Sequence, residues 1–190
     1  MHEKTEIKNI PEFRSVLDKA KQILKSRISE TNFVVDATAG NGNDMLFLCE
    51  LAPKGHVFGF DIQIEAVSRA EKLLKENGKS NYTIFLASHD LIGEYLKDYQ
   101  GKISAVLFNL GYLPGGDKSI TTKTETTIRA INAALKLLKE NGIVLIVVYP
   151  HNEGKKEGEE IMKLKSKVSC FNIFRNTDNI NAPYLITLEN

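Results

Sequence analysis

Two glycine-punctuated stretches hold the residues that could do chemistry. The first is Asp36-Ala37-Thr38-Ala39-Gly40-Asn41-Gly42-Asn43-Asp44, which ends an apolar run that starts at Phe33. Gly40 and Gly42 let the backbone come close to a ligand and take positive φ. A dinucleotide site uses G-x-G-x-x-G and sets a pyrophosphate on the helix N-terminus. Here the third glycine position is Met45, and Asp44 falls in the first helical turn. A carboxylate there suits the helix dipole but repels a pyrophosphate. It could hold an ammonium group instead. A ligand with an amino acid end and a nucleoside end fits this loop, and NAD fits it poorly. The plain alternative is a glycine-capped turn with Asn43 or Asp44 as helix cap.

The second stretch is "NLGYLPGGD", Asn109 to Asp117, after the apolar "ISAVLF" of 103–108. Asn109 offers a carbonyl acceptor and an amide donor. Beside an electrophile, its carbonyl could accept a hydrogen bond from a substrate amine and turn the nitrogen lone pair toward a carbon. The Leu110 carbonyl could take a second amine proton, and Tyr112 could stack on a base. Methyl transfer from a sulfonium asks mainly for alignment, proximity and a deprotonated nucleophile. Alkylamines are mostly protonated near neutral pH, so a base is wanted. Asp117, His89 and His151 are the candidates, histidine because it titrates near neutrality. Loss of the proton to water is the alternative. A glycine-rich loop with a structural asparagine is the plain reading.

Other acids and bases fall at similar places. Asp61 ends "HVFGFD", 21 positions after Gly40, and could accept both ribose hydroxyls, with Gln63 beside it. Asp90, after Ser88-His89, could meet the exocyclic amine of an adenine or cap a helix. Lys118, Lys123, Arg129, Lys155 and Lys156 are either phosphate contacts or solvated surface. There is no zinc-ligand spacing, no G-x-S-x-G and no Walker loop, so no metal is expected.

These residues need elements to hold them. Pro11 can open a helix, and 12–28 repeats its apolar residues on a helical period. Strands are predicted at 32–37, 56–61, 82–87, 103–108 and 143–149, alternating with helices at 43–52, 64–78 and from Thr121 or Thr122 to about Glu140. A charged helix at 153–166 precedes strands at 168–174 and 184–189. Alternation through five units means a parallel sheet covered on both faces. The last two strands are joined by nine helix-free residues, "RNTDNINAP", and must run antiparallel. Ligands in such a sheet sit beyond the C-terminal strand ends, where strand order reverses. Phe13, Phe47, Phe58, Phe85, Phe171 and Phe174 are expected in the core.

Composition bounds the rest. A chain of 190 residues that is 42% hydrophobic suits one domain and one core. The whole of 1–190 is therefore expected to be a single domain, with a helical segment at 1–30 packed on it. The 25 basic and 24 acidic residues balance, which neither demands nor excludes a nucleic acid. Residues 31–90 hold five basic against eight acidic residues, so a polyanion would avoid that region. Cys49 and Cys170 do not make a disulfide framework and are expected as buried thiols. No apolar run reaches the length of a membrane span, and no signal-peptide core is present. A cytoplasmic location is expected.

Four stretches together carry a resemblance: "DATAGNGNDMLFL" (36–48), "VFGFDIQ" (57–63), "FNLGYLPGGDKSITT" (108–122) and "YPHNEG" (149–154). They resemble the small bacterial class I methyltransferases labelled as rRNA methylases, from about residue 10 to 190. "NLGYLPGGDKS" is the specific part. Members act on tRNA. They use S-adenosylmethionine (SAM) to methylate the 5-aminomethyl group of a wobble uridine, often 2-thiolated, in the anticodon loop.

The resemblance implies a three-layer Rossmann-like fold, a seven-stranded mostly parallel sheet with an antiparallel C-terminal strand, and often a homodimer. It implies that Asp36, Thr38, Gly40, Asn41, Gly42, Asn43 and Asp44 line the methionine side of SAM. Asp61 and Gln63 would meet the ribose and adenine side, and His89 and Asp90 would flank adenine. Asn109, Leu110, Gly111 and Tyr112 would stand for the N-P-P-Y motif of amino methyltransferases, with Asn109 also meeting the cofactor. Leu110 and Gly111 depart from that motif as the family does. "YPHNEG" departs from the family's Tyr-x-Gly-His-x-Gly-Gly at Pro150 and Asn152 but keeps His151. Three other readings compete: a methyltransferase for rRNA or a small-molecule amine, an NAD-dependent oxidoreductase, and a non-catalytic interaction domain.

Overall fold

The computed structural model describes residues 13–190. Its strands are β1 Phe33–Asp36, β2 His56–Asp61, β3 Tyr82–Leu86, β4 Ile103–Asn109, β5 Leu138–Val148, β6 Cys170–Phe174 and β7 Tyr184–Glu189. Its helices are α1 Val16–Arg27, α2 Asn43–Leu51, α3 Ile64–Glu76, α4 Ile92–Tyr95, α5 Thr124–Leu137 and α6 Glu153–Met162. The seven strands form one sheet in the order β3-β2-β1-β4-β5-β7-β6. All neighbours are parallel except the pairs of β7, which runs against both β5 and β6. The helix-free connection before β7 leaves no crossover that could make it parallel.

Apolar residues fill both faces of the sheet. Val34, Ala105, Leu107 and Val147 pack with Val16, Leu24, Met45 and Leu48 on one side. Val35, Phe60, Val106, Phe108 and Ile146 pack with Ile92, Ile131, Ala134 and Ile161 on the other. Successive strand residues point to opposite faces, so all-apolar strands buried on both sides are the expected pattern. Phe60 and Phe108 are the large aromatic side chains fully inside. Of the phenylalanines expected in the core, Phe58 is buried, while Phe13, Phe47, Phe85, Phe171 and Phe174 pack against it from partly buried positions.

Strand order reverses between β1 and β4. There the register matters. Asp36 pairs with Gly59 on one side and Leu107 on the other. Both neighbouring strands run two residues further, to Asp61 and Asn109. Because side chains alternate with period two, Asp36, Asp61 and Asn109 share one face.

Several expected boundaries move. The part of the first helix that includes Pro11 lies outside the described residues; α1 begins at Val16, with the Ser15 hydroxyl accepting from the Asp18 N–H. The α5 helix begins at Thr124, because Thr121 bridges to Tyr112 and Thr122 is held by the loop after β4. It ends at Leu137, and residues 138–140 already belong to β5. The charged helix stops at Met162 and continues as a 3-10 turn over Lys163–Lys167. Cys49 is buried as expected, but Cys170, on edge strand β6, is only partly so. No helix among the described residues is long and apolar enough to cross a membrane.

Candidate active site

The two stretches meet. The Asn109 backbone N–H donates to Thr38 Oγ1 at 2.7 Å, and Asn109 Nδ2 donates to Asp44 Oδ2 at 2.9 Å. Asn41 Nδ2 donates to the Pro114 carbonyl at 3.2 Å, and a Cβ on Gly40 would lie 3.5 Å from Leu113. The glycine loop after β1 and the loop after β4 are thus two walls of one crevice.

Backbone geometry explains the glycines of the first wall. Gly42 has φ 84°, and a Cβ there would stand 2.7 Å from Ala70 Cα. Only glycine allows this turn and the close seating of α2 against α3. Gly40, at φ 50°, donates its N–H to Asp61 Oδ2 at 2.9 Å, and Gln63 donates its N–H to Asp61 Oδ1 at 2.9 Å. Asp61 therefore ties the ends of β1 and β2 together, and each of its oxygens keeps a lone pair for a ligand hydroxyl.

Electrostatics are unusual here. Asp44 and Asp61 both act on Asp36 at the head of the crevice. Asp36 is fully buried, accepts one N–H from Thr38 and leaves Oδ2 without a partner. Burial first, and the neighbouring Asp44 second, push its carboxyl up to about 8. Asp44 has Lys21 Nζ at 4.0 Å. Asn109 Oδ1 is buried and, like Asp36 Oδ2, unpartnered. Buried polar atoms in folded proteins nearly always find partners. These two are therefore places where a ligand or water belongs.

The remaining expected residues scatter. Asn43 is exposed at the start of α2. Tyr112 is exposed, with Lys118 Nζ 5.5 Å from its ring centroid. Asp117 is exposed and takes the Ser119 N–H at 2.8 Å, a bond that holds its carboxyl below the ordinary value. His151 is exposed just beyond β5. His89 is buried, packed edge-on against Phe108, and burial lowers its pKa. Phe108 points to the sheet face opposite Asn109. Asp90 Oδ2 is bound by Arg129 at 2.7 Å, an ion pair that joins the residue expected beside adenine to one of the candidate phosphate contacts. Lys156 leans on Glu153 at 3.6 Å. Among the described residues, no cluster of three metal-type ligands occurs.

Three residues at the crevice escaped sequence reading. Ile62 and Leu86, at the ends of β2 and β3, are more than half exposed, an apolar shelf beside Asp61. Apolar residues at strand ends read as core, so nothing in the pattern marked them. Tyr149, at the end of β5, is partly buried close enough to Asp44 that the carboxylate helps raise its pKa, after burial. Its place in "YPHNEG" was the available signal.

Comparisons with known proteins agree with this geometry. The chain is 36% identical over 146 residues to a tRNA (mnm(5)s(2)U34)-methyltransferase, chloroplastic, of Arabidopsis thaliana, covering 72% of this chain and 53% of that protein. It thus spans about half the length of that relative. A methyltransferase structure from Streptococcus mutans, solved in complex with SAH, superposes with TM-score 0.83 at 28% identity, covering 93% of this chain and 98% of that one. An rRNA-methylase structure from Clostridium thermocellum superposes with TM-score 0.85 at 35% identity, again over 93% and 98% of the two chains. The seven-stranded, mostly parallel sheet with its reversed β7 is the class I methyltransferase fold of these neighbours. Residues 57–188 match the family described as "Putative rRNA methylase", and with these structural likenesses the chain belongs to that family.

Proposed function

We propose that this chain is a SAM-dependent N-methyltransferase that converts 5-aminomethyl-(2-thio)uridine at the tRNA wobble position to 5-methylaminomethyl-(2-thio)uridine. One observation carries this reading. The Asn109 carboxamide is held by Asp44 where the glycine loop meets the loop after β4, and its buried oxygen is left without a partner. The tRNA and its wobble base come from the Arabidopsis relative's name and the family resemblance.

The residues present fit the cofactor. Asp61 keeps acceptor capacity for ribose hydroxyls, and the Ile62–Leu86 shelf suits the flat face of a base. Gly40, at φ 50°, and Gly42, at φ 84°, give the loop a backbone path that residues with side chains rarely follow. The Asp44 side chain, which already has Lys21 Nζ at 4.0 Å, favours a cationic group. When bound, SAM supplies a methyl carbon on a sulfonium and leaves as a neutral thioether.

The chain's own part is orientation. Asn109 Oδ1 accepts one N–H of the substrate amine, and the Leu110 carbonyl accepts another. Once the substrate ammonium has lost one proton, these two acceptors hold the neutral amine so that its lone pair would face the methyl group the cofactor would supply. Asp117 is a weakened base, because the Ser119 N–H stabilises its charged form. His89 is inside the core. His151, exposed beyond β5, remains as the residue that receives the proton, or passes it to water. A wobble base already sits in a single-stranded loop, so a small chain can reach its substituent. The full reading includes a cytoplasmic homodimer.

The test is a reaction of the chain and SAM with unmodified, aminomethyl and carboxymethylaminomethyl tRNAs, read by nucleoside mass spectrometry. Methylation of the aminomethyl form alone is expected. Methylation of rRNA fragments or free amines in its place would overturn the tRNA assignment.

A further inference from the structure

Helix α6 is highly charged, yet one of its glutamates is fully inside the protein. Glu157 is fully buried and accepts hydrogen bonds from Thr127 Oγ1 at 2.6 Å and Thr122 Oγ1 at 3.1 Å. Burying a carboxylate is costly unless donors satisfy it, and two threonine hydroxyls from another segment do so here. Nothing in the reading above uses this group.

The Thr122 hydroxyl has a second bond, which gives the network a direction. Its oxygen accepts the Gly111 N–H at 3.0 Å while its proton goes to Glu157. The Gly111 carbonyl in turn accepts the Thr122 N–H at 2.9 Å. A turn of helix earlier, Glu153 Oε1 accepts both the N–H and the hydroxyl of Thr124, at 3.1 and 2.7 Å. Glu153 and Glu157 are four residues apart and so share one face of α6. That face clamps the segment 122–127, and through Thr122 it reaches the start of the loop after β4.

The Gly111 N–H belongs to the same planar peptide as the Leu110 carbonyl. In a trans peptide the two point in opposite directions, and the chain has no cis bond among the described residues. Fixing the N–H on Thr122 therefore fixes the carbonyl away from Thr122. Gly111 itself has φ 145°, a conformation that side-chain-bearing residues rarely adopt, so this peptide needs an external hold to keep one orientation.

We infer that Glu157 is a positioning residue: acting through the Thr122 hydroxyl on the Gly111 amide, it aims the Leu110 carbonyl at the amine that the site receives. This rests on the amine-methylating reading of the site. The brace itself has a signature that needs no activity.

The experiment compares Thr122→Val, Thr122→Ser, Thr127→Val and Glu157→Leu with the wild-type chain. Hydrogen exchange at the Gly111 amide is measured by NMR, together with single-turnover methylation of aminomethyl tRNA and SAM affinity by calorimetry. Thr122→Val and Glu157→Leu should speed Gly111 exchange and slow methyl transfer by about tenfold or more, with SAM affinity unchanged. Thr122→Ser should restore both. Thr127→Val removes a donor from the same carboxylate without touching Gly111, so it should leave Gly111 protected and transfer within about threefold of wild type. If Glu157→Leu does not fold, the threonine variants decide alone. Unchanged Gly111 exchange in Thr122→Val overturns the brace. So does an equal loss of transfer in Thr122→Val and Thr127→Val, which would mark general destabilisation. Failure of the wild-type chain to methylate aminomethyl tRNA would overturn the proposed reaction, while the exchange measurement would still judge the brace.

Discussion

Asn109 Nδ2 donates to Asp44 Oδ2 at 2.9 Å, across 65 residues of chain. An asparagine side chain can turn over, exchanging its donor and acceptor ends. A carboxylate accepts only, so Asp44 selects the amide end and leaves Oδ1 without a partner. A residue expected to bind cofactor thus also orients the residue expected to bind substrate.

Asn109→Ala should lower the single-turnover rate of methyl transfer by about a hundredfold, since alignment of the amine is lost. SAM affinity should stay within about threefold. Asp44→Ala should lower the rate as well, because the carboxamide is then free to turn. Rapid-quench kinetics with calorimetric titration separates the two effects. An Asn109→Ala chain with wild-type rate would remove Asn109 from the mechanism.

Asp61→Ala should weaken both cofactor binding and the fold. Two backbone N–H groups, on Gly40 and Gln63, lose their acceptor. About 2 kcal/mol of stability should go, and SAM affinity should fall by about ten- to a hundredfold. Urea unfolding and calorimetry are the measurements. Equal SAM affinity in both chains would displace the ribose from the end of β2.

The Asp36 carboxyl makes the fold sensitive to pH. Its folded pKa of about 8 lies above the unfolded value of 3.8, because burial disfavours the charged form. Between these values the folded chain holds a proton that the unfolded chain has released. The stabilising effect of that proton is full below the unfolded pKa and is lost as pH rises through the folded one. Asp36→Asn should therefore flatten the fall in denaturation midpoint from about pH 5 to pH 8. Parallel pH profiles for the two chains would place Asp36 in a more polar setting.

Gly42→Ala should destabilise the fold by about 2 kcal/mol or more. The new Cβ meets the backbone of Ala70 at 2.7 Å, and φ 84° is unfavourable for alanine. A lowered thermal midpoint checks this. The same change in Gly78, with φ 65° but open space around a Cβ, should cost about 1 kcal/mol.

Much of this was legible before any coordinates. The alternation of apolar runs with helical periods sets the parallel sheet, and "RNTDNINAP" is too poor in helical pattern to carry a crossover, so β7 had to turn back. Asp36, Asp61 and Asn109 could be picked out because each ends an apolar strand, where a polar residue has no place in the core. Met45 in place of a third glycine and Asp44 in the first helical turn argued against a pyrophosphate, the first by loop shape and the second by local electrostatics. All of these depend on a residue and its near neighbours in the chain.

Tertiary structure decided what depends on contacts across the fold. His89 and Asp90 sit after a strand like the other acids. Yet the packing of Phe108 takes one inside, and Arg129 holds the other. Glu157 lies in a run of charges that reads as solvated surface, and only the approach of Thr122 and Thr127 supplies donors that let it be buried. Which end of the Asn109 carboxamide is left without a partner depends on a carboxylate brought from the first turn of α2. Chain order lays down strands, turns and their polar endings because those are local preferences. Burial and partnership are properties of the packed whole.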